Sequence, residues 1–445
     1  FEIRTVNCVE LMAYMDDETV DMCVTSPAYW GLRDYGGRGI VWGPQECIER
    51  EEGDTSHEWE GYTRPSENTR NNNNSLQLKS AYWEPQEQAF CKHCDAWFGQ
   101  LGLEPTPEQY VKNMVEVFRE VKRVLKPEGT LWLNIGDSYC AGSRKSGVAD
   151  SAGGERGLPT TQRNQASGDL KQKDLVGIPW MLAFALRADG WYLRQDIIWA
   201  KPNCMPESVR DRCTKNHEYL FLLTKSQNYY FDSEAIKERG VMSSAGSKQR
   251  DTRIGHGMGG GNSGINDAKK RMKDELAENG YVKRNKRSVW WVSPKPFKGA
   301  HFAVFPEQLI EPCILAGTSG RGCCSECSAP WERVSERGSS ADGRRVKDGR
   351  VPPGATPSRT VDDLTPEPST MFGWQPTCEC GVDITPCTVL DPFLGSGTTI
   401  ACSLAHGRTA IGIELNPDYV VLAEQRIADR LAELGMKPDS ERAWI

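Results

Sequence analysis

The chain has 445 residues, 38% hydrophobic and 26% charged, with a formal net charge of −7. That length exceeds one ordinary core and implies a large domain with insertions, or two to three units. No run approaches the ~18–20 apolar residues of a membrane span and no secretory signal is visible, so the reading is a cytoplasmic protein with no membrane partner.

In chain order, "VDMCVTSPAYW" is a strand that runs into a loop carrying Ser26, Pro27, Tyr29 and Trp30. Residues 107–125 form an amphipathic helix, with Val111, Met114, Val115, Phe118, Val121 and Leu125 at helical spacing. "KPEGTLWLNIGDS" gives a turn and a buried strand, followed by a Gly- and Ser-rich mobile loop at 141–169. "GIPWMLAFALRADG" is a helix ending at Gly190, and "WYLRQDIIWAKPN" a strand ending at Lys201-Pro202. Residues 201–300 hold 20 Lys and Arg against 11 Asp and Glu, a balance of +9, so the rest of the chain carries −16. A basic block inside an acidic chain is the pattern of a local phosphate-binding face, and also of an ordinary solvated surface. Residues 335–370 are Gly-, Ser- and Pro-rich and read as a surface or disordered insertion. The C-terminal stretch from Cys387 alternates strand, glycine loop, helix, strand, loop, helix, which indicates a mostly parallel α/β sheet.

"VLDPFLGSGTT" places Asp391 at a strand end, with Gly395 and Gly397 in the turn before a helix. Small residues let the backbone approach a ligand, and the helix N-terminus offers free N–H groups. The next strand ends at Glu414, 23 residues beyond Asp391, where a carboxylate can accept both hydroxyls of a ribose. No Lys follows the glycines and the third glycine of a dinucleotide fingerprint is missing, so a P-loop and NAD are disfavoured. The plain alternative is a tight strand–helix turn with a chance glutamate.

Sixteen cysteines in a chain without a secretory signal point to metal more than to disulfides. Cys91-x-x-Cys94 with Cys47 and His57 upstream makes one candidate tetrahedral zinc set, with His93 as a rival ligand. Cys324-x-x-Cys327 with Cys378 and Cys380 makes a second, with Cys323 as a rival to Cys324. The expectation is two structural Zn2+ ions, against the alternative of reduced, unligated cysteines.

Together, "DPFLGSGTT" and "TSPAYW" resemble motif I and motif IV of the amino-group DNA methyltransferases, which use S-adenosylmethionine. The order, catalytic motif first and cofactor motif last, resembles the β class of that family. "HFAVFPEQLIEPCILAGTS" is similar to its motif X, and "RQDIIWAKPN" to the strand region beside the catalytic loop.

The resemblance implies a Rossmann-like α/β fold with a mixed, mostly parallel sheet, zinc-binding insertions and a target-recognition region. The implied organisation is a catalytic-motif part at 1–45, a zinc-binding insertion at 46–100, and the methyltransferase domain continued at 101–202. The target-recognition region follows at 203–300, motif X at 301–322, a second zinc-binding insertion at 323–386, and the cofactor part at 387–445.

It further implies that Ser26, the Pro27 carbonyl and Tyr29 act on a flipped base, the first two holding the amine and Tyr29 stacking. Asp391, Pro392, Phe393, Gly395, Ser396, Gly397 and Thr398 would line the cofactor, Asp391 near its methionine amine. Glu414 would hold its ribose, and Phe302 and Phe305 its motif X side. Ser26 resembles the cytosine-N4 enzymes more than the Asp-bearing adenine-N6 enzymes. Ala28 replaces the family's second proline, which relaxes the loop by roughly 0.4–1 kcal/mol and leaves the Pro27 carbonyl in place. The expected partner is double-stranded DNA in a prokaryotic or phage-infected cell, with a restriction endonuclease as candidate partner and the oligomeric state open. Adenine N6 methylation, or a catalytically weak DNA-binding module, stand as the alternatives.

Overall fold

The computed structural model describes residues 1–32, 39–44, 46–47, 56–59, 89–140, 169–239, 283–294, 305–336 and 370–435. Outside them lie the expected loop 141–169 apart from Asp169, residues 240–282 of the basic block, residues 337–369 and Phe302. Along the chain the elements are β1 (Glu2–Arg4), α1 (Cys8–Ala13), β2 (Val20–Thr25), β3 (Ile40–Trp42), β4 (Ala89–Phe90), β5 (Trp97–Gly99), α2 (Pro107–Val124) and β6 (Leu125–Ile135). There follow α3 (Ile178–Ala188), β7 (Tyr192–Ala200), β8 (His217–Thr224), β9 (Glu238–Arg239), β10 (Lys283–Arg284), β11 (Val289–Trp291) and α4 (Glu307–Gly317). The last are β12 (Cys323–Cys324), β13 (Trp331–Glu336), β14 (Thr370–Pro376), β15 (Ile384–Thr385), β16 (Thr388–Asp391), α5 (Thr398–Ala405), β17 (Thr409–Ile413) and α6 (Pro417–Glu433).

Two compact units divide the chain: Phe1–Phe231, Ser288–Gly320 and Pro386–Ile445 form the first, and Asp232–Arg287 with Arg321–Thr385 the second. The first contains an eight-stranded sheet in the order β1-β17-β16-β2-β6-β8-β7-β11. Strands β1 to β6 of that order run parallel, and β8 alone opposes its neighbours β6 and β7. This is the mixed, mostly parallel sheet that the motifs implied. β8 comes from within the segment expected to hold only target recognition, so the sheet extends through the first part of that block.

β2 and β6 are buried along nearly their whole length, as strands covered on both faces must be. Adjacent residues face opposite layers. Cys23, Leu131, Leu133, Phe221 and Leu223 share a core with Met12 of α1, Val117 and Phe118 of α2 and Leu182 of α3. On the other face Met22 and Trp132 meet the end of α4, where a Cβ on Gly317 would lie 3.1 Å from Met22 Sδ. Helix α2 starts as its sequence dictates: Thr106 Oγ1 accepts from Gln109 N at 3.2 Å and Pro107 stands at the first turn. Among the described residues the second unit holds the two-stranded pairs β9–β10, β12–β15 and β13–β14. No helix among the described residues is long and apolar enough to cross a membrane.

Two strands distant in sequence are locked at both ends. At one end Asp21 Oδ2 accepts from Thr388 N at 2.7 Å while Asp21 Oδ1 meets Lys126 Nζ at 2.7 Å, both side chains being about nine-tenths buried. Removing one member of such a pair strands a buried charge. Lys126→Met should therefore cost about 3–5 kcal/mol in denaturant titration. The double variant with Asp21→Asn, which keeps an acceptor for Thr388 N, should recover a large part of that loss.

Candidate active site

At the other end of those strands Thr25, the last residue of β2, donates from Oγ1 to Asp391 Oδ1 at 2.6 Å across 366 positions of sequence. Thr399 Oγ1 donates to Asp391 Oδ2 at 2.6 Å and Phe393 N to Oδ1 at 3.1 Å. Asp391 is wholly buried beneath the glycine loop, and that burial pushes its carboxyl up to about 6. The chain's two motifs thus sit side by side at the carboxyl ends of β2 and β16. From β16 the sheet grows one way to β17, from β2 the other way to β6, and such a switch point opens a ligand crevice.

The loop after β2 leaves its acceptors open. Ser26 Oγ donates to Tyr29 Oη at 3.3 Å, and among the described residues no donor reaches the Pro27 carbonyl. Tyr29 Oη lies 2.7 Å from Glu218 Oε2 and 3.2 Å from Asn134 Oδ1. Lys201 Nζ donates to the other Glu218 oxygen. One side of the Tyr29 ring rests on Gly136, where a Cβ would come within 2.7 Å of Cε2. Trp30 is a core residue, 4% exposed, with its indole N–H on Glu104 O at 2.9 Å. Ala28 is held as well: its carbonyl accepts from Tyr110 Oη at 2.8 Å.

The wall behind this loop contains a buried acid. Glu104 accepts from Gly102 N at 2.8 Å and from Asn113 Nδ2 at 3.0 Å, and burial pushes its carboxyl up to about 7. Lys215 donates to the Asp137 carbonyl at 2.9 Å, and its ammonium is pushed down by burial.

The glycine loop shows why its residues are small. Gly397 has φ +80°, and a Cβ there would lie 3.0 Å from Ala423 Cα. Gly395 has φ +54°, and a Cβ there would meet only Phe393 O, at 4.0 Å. Glu414 accepts from Gly395 N and Asn416 N, each at 2.8 Å, which leaves further lone pairs for a ligand. Burial raises its carboxyl above the usual range. Ser396 and Thr398 turn their hydroxyls inward to Arg426 Nη1, at 3.2 and 2.7 Å, while Arg426 Nη2 reaches Glu307 Oε1 at 3.1 Å. Their backbone N–H groups have no acceptor among the described residues, as expected ahead of and at the first position of a helix. Pro392 and Phe305 are buried, and Phe393 packs partly on the core. Phe302 lies outside the described residues.

Both predicted metal sets are brought together. The ligand atoms of Cys47, His57, Cys91 and Cys94 lie within 4.8 Å of one another, and so do those of Cys324, Cys327, Cys378 and Cys380. The rival His93 is turned to Glu58 Oε2 at 3.1 Å, and Cys323 is not in the second set. Sequence reasoning missed Thr25, Thr399, Asn134, Glu218, Lys201 and Arg426. Only Thr25 and Thr399, the end residues of the two motifs, carried any local signal.

A glycine loop and a loop with open acceptors, at the carboxyl ends of adjacent parallel strands, make a ligand-binding crevice of the α/β class. The family model described as DNA methylase, for N6 and N4 methylation, matches residues 20–324 and 387–425. The chain is 32% identical over 421 residues to the Type II methyltransferase M.SmaI of Serratia marcescens, covering 95% of this chain and 88% of that one. It is 37% identical over 328 residues to M.Cfr9I of Citrobacter freundii, another Type II methyltransferase, covering 74% of each. Among solved structures it is similar to the PvuII DNA methyltransferase (cytosine-N4-specific), at 12% identity over 97% of this chain and 91% of that one, with TM-score 0.43. The chain belongs to the DNA methylase family and is an amino-group DNA methyltransferase.

The Glu104 carboxyl titrates well above its ordinary 4.5, so the stability it contributes is full below about 4.5 and is lost as pH rises through about 7. Glu104→Gln removes that dependence. Between pH 5 and pH 8 the stability of the wild type relative to Glu104→Gln should fall by on the order of 3 kcal/mol, read by denaturant titration at each pH.

Proposed function

We propose that this enzyme methylates the exocyclic N4 amine of cytosine at a specific site in double-stranded DNA, with S-adenosylmethionine as donor and structural Zn2+ at its two four-ligand clusters. The carrying observation is the pair of acceptors after β2, Ser26 Oγ and the unpartnered Pro27 carbonyl, set beside the glycine loop of β16.

Gly395 gives the cofactor room, and the free N–H groups of Ser396 and Thr398 with the spare lone pairs of Glu414 offer it polar partners. Bound there, S-adenosylmethionine supplies a methyl on positively charged sulfur for an incoming nitrogen lone pair. An amine on a base ring is a poor nucleophile because its lone pair is delocalised. Ser26 Oγ and Pro27 O each accept from one of its two N–H groups, which draws the nitrogen from planar toward tetrahedral and localises its lone pair toward the methyl. The amine is inaccessible inside a duplex, so the base must leave the stack, and the ring face of Tyr29 away from Gly136 receives it.

Ser26 is neutral, yet it does not stand alone. Its hydroxyl donates to Tyr29 Oη, which in turn donates a hydrogen bond to the Glu218 carboxylate. Hydrogen bonds in series polarise one another, so a carboxylate at the far end makes Ser26 Oγ a stronger acceptor. Glu218 is a positioning residue in this arrangement. The Type II relatives support site-specific modification, and an endonuclease of the same recognition site is the partner this reading expects.

Nucleoside analysis of DNA from cells expressing the protein should show N4-methyldeoxycytidine; N6-methyldeoxyadenosine alone would overturn the cytosine assignment. Glu218→Gln keeps an acceptor for Tyr29 and removes the charge. It should lower kcat about tenfold, worth ~1.4 kcal/mol, with the Kd for S-adenosylmethionine unchanged. Equal losses in both would contradict the relay.

A further inference from the structure

The first metal cluster has the dimensions of an occupied zinc site. Cys47 Sγ and Cys91 Sγ are 3.8 Å apart, and Cys94 Sγ and His57 Nδ1 are 3.5 Å apart. Zinc bonds of about 2.3 Å to sulfur and about 2.0 Å to nitrogen give tetrahedral edges of about 3.8 and about 3.5 Å. A disulfide needs ~2.05 Å, so the sulfurs are spaced for a shared ion and not for each other. The backbone N–H of His93 points at Cys91 Sγ at 3.5 Å, the kind of donor that supports a metal-bound thiolate.

Among the described residues, the end of the β3–β5–β4 piece that carries the ligands has little apolar packing of its own, while Trp42 and Trp97 of β3 and β5 join the main core. Its buried apolar residues are Cys47, Cys91 and Ala96, with Val41, Trp59 and Cys94 packed beside them. Two of the three buried residues are themselves ligands. The strands are short: β3 and β5 have three residues each and β4 has two. The ligand end has no adequate core of its own among the described residues, and the binding free energy of a structural ion there becomes folding free energy.

The segment that leaves this cluster runs directly to the catalytic loop. Three residues after Cys94, β5 begins, paired with β3 through Trp97–Trp42 and Gly99–Ile40. Trp42 Nε1 donates to Gly99 O at 3.2 Å. Beyond β5, Gly102 O accepts from Gly31 N at 2.8 Å and Glu104 O from Trp30 Nε1 at 2.9 Å. Gly102 has φ +92° and lies so close to the loop that a Cβ there would be 3.2 Å from Ala28 Cβ. Residues 97–104 thus follow the ligand pair directly in sequence, pack into the main core through Trp97 and Leu101, and hold Gly31 N and the Trp30 indole.

We infer that the ion at Cys47, His57, Cys91 and Cys94 braces the catalytic loop, so that this metal sets the placement of Ser26, Pro27 and Tyr29. The inference rests on the zinc reading above. The cluster at Cys324, Cys327, Cys378 and Cys380 belongs to the other unit and has no such path among the described hydrogen bonds.

The test uses the full chain. Elemental analysis of the purified wild type should find about two zinc per chain; none would overturn the zinc reading itself, and the brace with it. Cys94→Ser and Cys378→Ser should each lose one zinc. In Cys94→Ser the Gly31 amide should exchange with solvent at least tenfold faster and kcat should fall at least tenfold, while the Kd for S-adenosylmethionine stays within about threefold. Cys378→Ser should leave Gly31 exchange as in the wild type. If Cys94→Ser loses its zinc with Gly31 exchange unchanged, the brace is wrong while the zinc site stands. Loss of cofactor binding together with zinc would also refute it, because the ion would then support the whole unit. Should Cys94→Ser fail to accumulate, the same exchange measurement on chelator-stripped wild type decides the point.

Discussion

The contact between Thr25 and Asp391 is the constraint on which the active site depends. It joins residues 366 positions apart, at the ends of the strands that carry the two sequence motifs. A wholly buried carboxylate costs several kcal/mol in lost hydration. Here two threonine hydroxyls and the Phe393 N–H repay part of that cost. They do not repay all of it, because Asp391 still titrates at about 6, above a free aspartate. Desolvation wins over hydrogen bonding in this group. What the carboxylate secures is geometry: one side chain positions the last residue of β2, the first residue of the glycine loop's turn and the first turn of α5.

That position in the sheet explains how a chain can carry its catalytic motif first and its cofactor motif last. What matters is that β16 and β2 are neighbours and parallel, with connections leaving to opposite sides. A ligand in that crevice meets both loops whichever comes first in sequence. The clamps at the two ends of the pair, Asp21 on Thr388 N and Asp391 on Thr25, hold the register between segments that share no local connection.

Much of the fold was legible because its signals are local. Helix α2 was expected at 107–125 and spans Pro107–Val124, its apolar period and its Thr106 cap being written in consecutive residues. The glycine loop was legible for the same reason. β8 was not: its "EYLFLLT" lies inside a block whose net positive charge, averaged over a hundred residues, hid one apolar strand. Glu218 and Asn134 reach Tyr29 only across the sheet, from β8 and β6, and no spacing rule links positions 29, 134 and 218. The metal sets fell between these cases. The C-x-x-C pairs were visible, but the choice of His57 over His93 depends on which imidazole the short hairpin turns inward and which it turns to Glu58.

Ala28 shows how the structure replaces a residue type by a set of contacts. A second proline would stiffen the loop through the unfolded chain, by roughly 0.4–1 kcal/mol. Here stiffness comes from outside the loop. Tyr110 Oη holds the Ala28 carbonyl, Glu104 O holds the Trp30 indole, and Gly102 O holds Gly31 N. Each such bond is worth about 1 kcal/mol net, so three of them outweigh the missing ring. The anchors come from α2 and from the segment after β5, so the loop inherits the rigidity of those elements. With Ala28 O already taken by Tyr110 and Pro27 O without a donor among the described residues, the open carbonyl of this loop is the one next to Ser26.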